Sequence, residues 1–160
     1  MIHVRTGGVQ DAGPITDLLN DITMQGGSTA MVTPVDRAYI TGWITCDPRS
    51  LWVVAEDSNG QLLGFQCVTP HAEHGENVAP IGTYARVGST GLGVGSKMFE
   101  ALKTLCRAHG YDWINAEIRA DNSGGLAYYQ SRGFEDYGRK PAITVDDGTI
   151  VDKLLKRYDL

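Results

Sequence analysis

Gly91-Leu92-Gly93-Val94-Gly95-Ser96 sets three glycines at alternate positions directly ahead of a helical apolar pattern. Val94, Met98, Leu102 and Leu105 recur at helix spacing, so the helix begins at or just inside the glycines. Glycine lets a backbone approach a ligand closely, and the first amides of a helix have no internal partner. Together these features form a cradle for a phosphate or diphosphate. Two familiar phosphate loops fail on inspection. A Walker loop requires Gly-Lys-Ser/Thr at its end, whereas Ser96 precedes Lys97 and Met98 follows it. A dinucleotide fingerprint requires a third glycine where this chain has Ser96 or Met98, and Asp112 stands ahead of the next strand, badly placed for a ribose.

A second motif follows the expected strand Trp113 to Ile118: Asn122, then Tyr129, then Gly133-Phe134. With the glycine loop Thr90-Gly91-Leu92-Gly93-Val94-Gly95 ahead of it, the chain resembles the GNAT superfamily of N-acetyltransferases, nearest in layout to the phosphinothricin acetyltransferase branch. The family loop reads Gln/Arg-x-x-Gly-x-Gly/Ala, and both glycines match; Thr90 stands in place of the long polar residue. The resemblance implies acetyl-coenzyme A as cosubstrate, with no metal, and a small-molecule or other amino group as acceptor. It further implies that the strand end Ala85-Arg86-Val87 pairs with the pantetheine amides through its backbone. The loop and helix start, Thr90, Gly91, Gly93, Val94, Gly95 and Ser96, would hold the diphosphate, while Asn122 and Tyr129 would lie along the pantetheine. Family members often dimerise, so the resemblance also admits a homodimer.

Acetyl transfer to an amine must free the nitrogen lone pair, stabilise an oxyanion and protonate the departing thiolate. By its place in the motif Tyr129 matches the family tyrosine near the cofactor sulfur and is the expected acid; packing against the pantetheine is the alternative. Tyr128, next to it, is expected to face elsewhere and to be structural. The base is less determined. The phosphinothricin branch carries a Glu on the strand before the glycine loop, where this chain has Pro80. Glu117 offers another answer, since ribosomal-protein alanine acetyltransferases show a Glu and a Tyr at the same separation. His71, Glu73, His74 and Glu76 are held in reserve, as is a water relay. His71-x-x-His74 lacks a third ligand at sensible spacing, so no metal is expected. The acceptor would be shaped by Thr23 to Thr33, the loop Pro70 to Ala79 and the terminal hairpin. Two functional classes remain open: an N-acetyltransferase, favoured by Tyr129 and Glu117, and a non-catalytic acyl-coenzyme A binding or sensing module, which Pro80 keeps alive.

The elements that must position these residues follow from punctuation. Strands are expected at Ile2 to Arg5, Leu51 to Glu56, Leu62 to Val68, Ile81 to Val87 and Trp113 to Ile118. Asn59-Gly60 reads as the turn of a hairpin. Helices are expected at Asp11 to Ile22, from Pro34 through Ile44, from the glycine loop to His109, and at Gly124 to Ser131. Ile143 to Val145 and Thr149 to Tyr158 should close the chain as a hairpin, with Thr69 to Ala79 as a loop. The expected fold class is α/β (α+β), a mixed and largely antiparallel central sheet with helices on both faces, in one domain over residues 1–160.

Composition is compatible with that reading. The chain is 42% hydrophobic and 21% charged, as soluble globular domains are. A net charge of −5 with scattered basic residues gives no general attraction to nucleic acid. No apolar run approaches the roughly 20 residues that span a bilayer, and no export signal is evident. Cys46, Cys67 and Cys106 are odd in number and unpaired in spacing, which suggests buried thiols in a reducing cytoplasm.

Overall fold

A computed structural model describes residues 1–25, 33–89, 92–145 and 147–160. The strands are β1 (His3–Thr6), β2 (Leu51–Glu56), β3 (Leu62–Val68), β4 (Val78–Ala85), β5 (Trp113–Arg119), β6 (Glu135–Thr144) and β7 (Ile150–Asp159). The helices are α1 (Ala12–Gln25), α2 (Arg37–Thr45), α3 (Val94–Ala108) and α4 (Ser123–Ser131). All strands share one seven-stranded sheet in the order β1-β2-β3-β4-β5-β7-β6. Every neighbouring pair is antiparallel except β4 with β5.

β2 shows why helices cover both faces. Leu51, Val53 and Ala55 enter one core with Met98, Phe99 and Leu102 of α3, while Trp52 and Val54 enter another with Ile15, Leu18 and Leu19 of α1. The two-residue alternation of a strand produces this division, and burial on both faces gives the near-continuous apolar run that marks β2 in sequence. In β3 Leu63 bulges out of register, as Ala55 pairs with Gly64 and Glu56 with Leu62. Gly64 thereby faces α3, where an added Cβ would meet Met98 Cε at 3.1 Å and Val94 Cγ1 at 3.2 Å. That Cβ would also come within 2.8 Å of Tyr84 O in β4, so the neighbouring strand together with the close approach of α3 requires a glycine there.

The one parallel pairing fixes the site. β4 bonds to β5 only over Val78–Pro80 against Trp113–Asn115, after which the two strands diverge. Ile81 to Ala85 remain paired with β3 on their other side. The sheet is therefore slit between its two central strands.

Three expectations need correction. The terminal hairpin is far longer than Ile143 to Val145 suggested, because β6 begins at Glu135 and continues through Pro141. β6 is an edge strand exposed along most of its length, so burial writes no alternation into it, and an edge tolerates the proline. A register shift between Lys140 and Ile143 and a positive φ of 53° at Ala142 absorb the irregularity. Next, β4 runs Val78–Ala85 rather than Ile81 to Val87, since Val78 and Ala79 are buried against β5 and Val87 is exposed. Last, Cys67 and Cys106 are buried thiols but Cys46 is exposed.

Candidate active site

The slit opens into a cavity of about 770 Å³ lined by β4, β5, the start of α3 and α4. That volume lies within the usual range of small-molecule sites. α3 starts at a left-handed Gly93 (φ 79°), and its first helical bond runs from Lys97 N–H to Gly93 O at 3.1 Å. The amides of Val94, Gly95 and Ser96 precede that bond, so they are the orphan donors of the helix. Gly93, Gly95 and Ser96 line the cavity, whereas the Val94 side chain is fully buried in the core, leaving only its backbone to serve a ligand. Thr90 and Gly91 lie outside the described residues.

Ala85, Arg86 and Val87 separate. Ala85 lines the cavity on the unpaired part of β4. The Arg86 amide bonds to Leu63 O at 2.7 Å, and Arg86 and Val87 border a different recess against α1. The free edge presented to the slit is thus Ile81 to Ala85, earlier in sequence than expected. Asn122 caps α4, its Oδ1 accepting from Gly125 N–H at 3.0 Å while it also lines the cavity.

Tyr129 lines the same cavity, buried, with its hydroxyl 2.7 Å from Thr83 Oγ1. Burial pushes the Tyr129 phenol well above its ordinary pKa, and the Thr83 hydrogen bond works in the other direction. Tyr128 also lines the cavity, against the expectation that it faces elsewhere. It donates to Gly95 O at 2.8 Å and accepts from Gln66 Nε2 at 3.0 Å, and burial raises its phenol to about 12.

Glu117 lines the cavity from β5. Ile114, Ala116 and Ile118 of that strand enter the α3 core, so Glu117 projects from the opposite face of the sheet. Tyr129 packs in the α3 core. The expected acid and the expected base therefore approach the slit from opposite faces. Glu117 is ion-paired with Lys140 of β6, which also pairs with Glu73. Burial disfavours the Lys140 charge, but the two carboxylates outweigh it and hold its pKa above the ordinary value. Lys140 in turn lowers that of Glu73. The loop before β4 thus brings Glu73 and His74 to Glu117, their ligating atoms all within 4.8 Å, and the cluster already contains a cation of the protein's own.

Asn115 Nδ2 lies 3.3 Å from His74 Nε2 and Asn115 Oδ1 accepts from the Tyr137 hydroxyl. Of the other reserve groups Glu76 is exposed, while exposed His71 borders the cluster, its Nδ1 accepting from Glu73 N–H at 3.1 Å and its ring 6.4 Å from that of His74. Pro80 sits at the mouth of the slit, opposite Asn115 in the last register pair. The acceptor-side segment Thr23 to Thr33 is described only at its ends, residues 26–32 lying outside the described residues. Sequence reasoning missed Gln66, Thr83, Asn115, Tyr137 and Lys140. The polar Gln66 and Thr83, standing among apolar strand residues, were the available signal for two of them; Lys140 had none, because strand order alone brings it to Glu117.

Comparison with known proteins agrees with this geometry. The model of the acetyltransferase (GNAT) family matches residues 15–134. An L-methionine sulfoximine/L-methionine sulfone acetyltransferase of Pseudomonas aeruginosa is 27% identical, covering 98% of this chain and 94% of its own length. A phosphinothricin N-acetyltransferase of Streptomyces coelicolor is 23% identical, covering 86% and 84%. Among solved structures, a phosphinothricin acetyltransferase from Sinorhizobium meliloti in complex with AcCoA has a TM-score of 0.87 at 22% identity, covering 99% of this chain and 88% of that one. A ribosomal-protein-alanine N-acetyltransferase from Brucella melitensis has a TM-score of 0.88 at 22% identity, covering 99% of each chain. With the family model spanning most of the sequence, the chain belongs to the acetyltransferase (GNAT) family.

Proposed function

We propose that residues 1–160 act as one catalytic unit in which Tyr129 is the acid and Glu117 the base for acetyl transfer from acetyl-coenzyme A to the primary amine of a small molecule. The observation that carries this reading is the slit: the unpaired edge of β4, the free amides at the start of α3 and the Tyr129 hydroxyl all border one cavity. An extended amide chain pairs with a free strand edge, and a diphosphate suits helix N-terminal amides. Ala85, Gly93, Val94, Gly95, Ser96 and Asn122 supply this grip, with Thr90 and Gly91 extending it.

Glu117 receives the proton of the incoming ammonium once Lys140 shares or releases its carboxylate. The freed amine attacks the thioester carbonyl through the slit, the adduct's nitrogen gives its second proton to water, and Tyr129 protonates the thiolate that departs as the carbonyl reforms. Pro80 cannot serve as base, so His74 beside Glu117 is the second base candidate. The non-catalytic reading loses its support, since an ionisable group lines the cavity and the relatives are acetyltransferases.

The relatives' acceptors, L-methionine sulfoximine, L-methionine sulfone and phosphinothricin, are the first to try here. Two free buried thiols favour the cytoplasm as its compartment, and the exposed edge strand β6 is the surface through which a homodimer would form. Thiol release from acetyl-coenzyme A should appear only when a suitable amine is added. Tight acetyl-coenzyme A binding with no release across a broad amine panel would sink the catalytic assignment.

A further inference from the structure

Behind Tyr129 lies a chain of hydrogen bonds that the acetyl-transfer assignment leaves unused. The Tyr128 hydroxyl donates to Gly95 O at 2.8 Å, so its proton is committed, and it accepts from Gln66 Nε2 at 3.0 Å. That fixes the Gln66 amide with nitrogen toward the tyrosine. The second Nε2 proton reaches Thr83 Oγ1 at 3.0 Å, across the directly opposed β3/β4 pair Gln66 and Thr83. Thr83 Oγ1 therefore accepts, and its own proton has a single acceptor among the described residues, Tyr129 Oη at 2.7 Å. Either hydroxyl can donate across that bond; with the Tyr128 and Gln66 protons already directed, the continuous direction of the chain runs from Thr83 to Tyr129. Tyr129 Oη then accepts along this chain, and its own proton is free to turn into the cavity.

Gln66 itself is fully buried, and its Oε1 has no partner among the described residues. A buried, half-satisfied amide is a poor choice for stability alone. Its two donated bonds give it a purpose.

We propose that Gln66 and Thr83 are positioning residues that orient the Tyr129 hydroxyl, Thr83 donating to its oxygen so that its proton points at the departing sulfur and the resulting phenolate keeps one hydrogen bond. The proposal rests on Tyr129 as the acid. No group is gained or lost in the chain: Tyr129 gives one proton to the thiolate and recovers one from water after product release.

The test measures kcat and KM for acetyl-coenzyme A by thiol release in Thr83→Val, Thr83→Ser, Gln66→Met, Tyr129→Phe and the Thr83→Val/Tyr129→Phe pair. Thr83→Val should lower kcat about tenfold with little change in KM, and Thr83→Ser should restore it, since only the hydroxyl matters. Gln66→Met should lower kcat by a few-fold. In the Tyr129→Phe background Thr83→Val should add nothing, because its effect passes through the missing hydroxyl. A wild-type kcat for Thr83→Val while Tyr129→Phe is slow overturns the positioning role alone, as does an undiminished Thr83→Val effect in the double variant. A wild-type kcat for Tyr129→Phe overturns both the acid and its positioning. Should Thr83→Val fail to fold, Thr83→Ala carries the same comparison.

Discussion

The Tyr129 hydroxyl, proposed as the acid, borders the cavity beside Thr83 and is what the phenylalanine variant removes. Tyr129→Phe should therefore lower turnover by roughly ten- to a thousandfold while acetyl-coenzyme A still binds, checked by steady-state kinetics and calorimetry. The cysteines make a separate prediction at this scale. Burial pushes Cys106 up to about 12 and Cys67 higher still, so neither forms thiolate near neutral pH, whereas Cys46 is exposed. A disulfide reagent should label one thiol quickly in the native protein and the remaining two only after unfolding. Rapid native labelling of all three would contradict the packing around β3 and α3. Tyr129 was legible in sequence because a motif marks it; Lys140 was not, because nothing local distinguishes it from any other lysine on an edge strand.

Among the elements, the contact between α3 and α4 is set by Gly95. A Cβ there would meet Tyr128 Cε1 at 2.6 Å, too close for the ring to stay in place. The third of the alternate glycines is thus explained by a tyrosine packed on the helix start, whatever ligand the helix amides hold. Gly95→Ala should displace the ring, weaken its bond to Gly95 O and destabilise the fold by about 1–3 kcal/mol, read by urea unfolding. An unchanged midpoint would show that the helices can part at no cost. The helix starts were legible from glycine and Asn122, whose capping roles are local. The length of β6 was not, because an exposed edge strand has no buried face to impose a two-residue pattern.

For the molecule as a whole, one source of acid sensitivity is the join between β1 and α1, where the lowered carboxylate is the buried one. Arg5 reaches Asp11 Oδ1 at 2.7 Å and Glu56 Oε1 at 3.4 Å, tying β1 to β2 and to the turn before α1. Burial opposes the Asp11 charge, but the Arg5 hydrogen bonds and the Gly8 amide prevail and lower its pKa. Because the folded pKa lies below the unfolded one, this stabilisation is present above the ordinary carboxylate range and fades as pH falls through the folded value. Asp11→Asn should cost about 2 kcal/mol near pH 6, and the gap to wild type should narrow as pH falls below the ordinary carboxylate range in urea titrations. A gap independent of pH would place the effect in packing.

Sequence alone determined the glycine-led start of α3, the Asn122-to-Phe134 motif and the strands β2 and β3, because each of these is set by neighbours along the chain. Tertiary structure decided what faces the slit. Where β4 leaves β5 after Pro80, one opening joins the two faces of the sheet, so Tyr129 from the α3 side and Glu117 from the other line one cavity. The strand order β5-β7-β6 and the loop before β4 then bring Lys140, Glu73 and His74 to Glu117. Such encounters between distant segments depend on register and strand order, which no local spacing in the chain encodes.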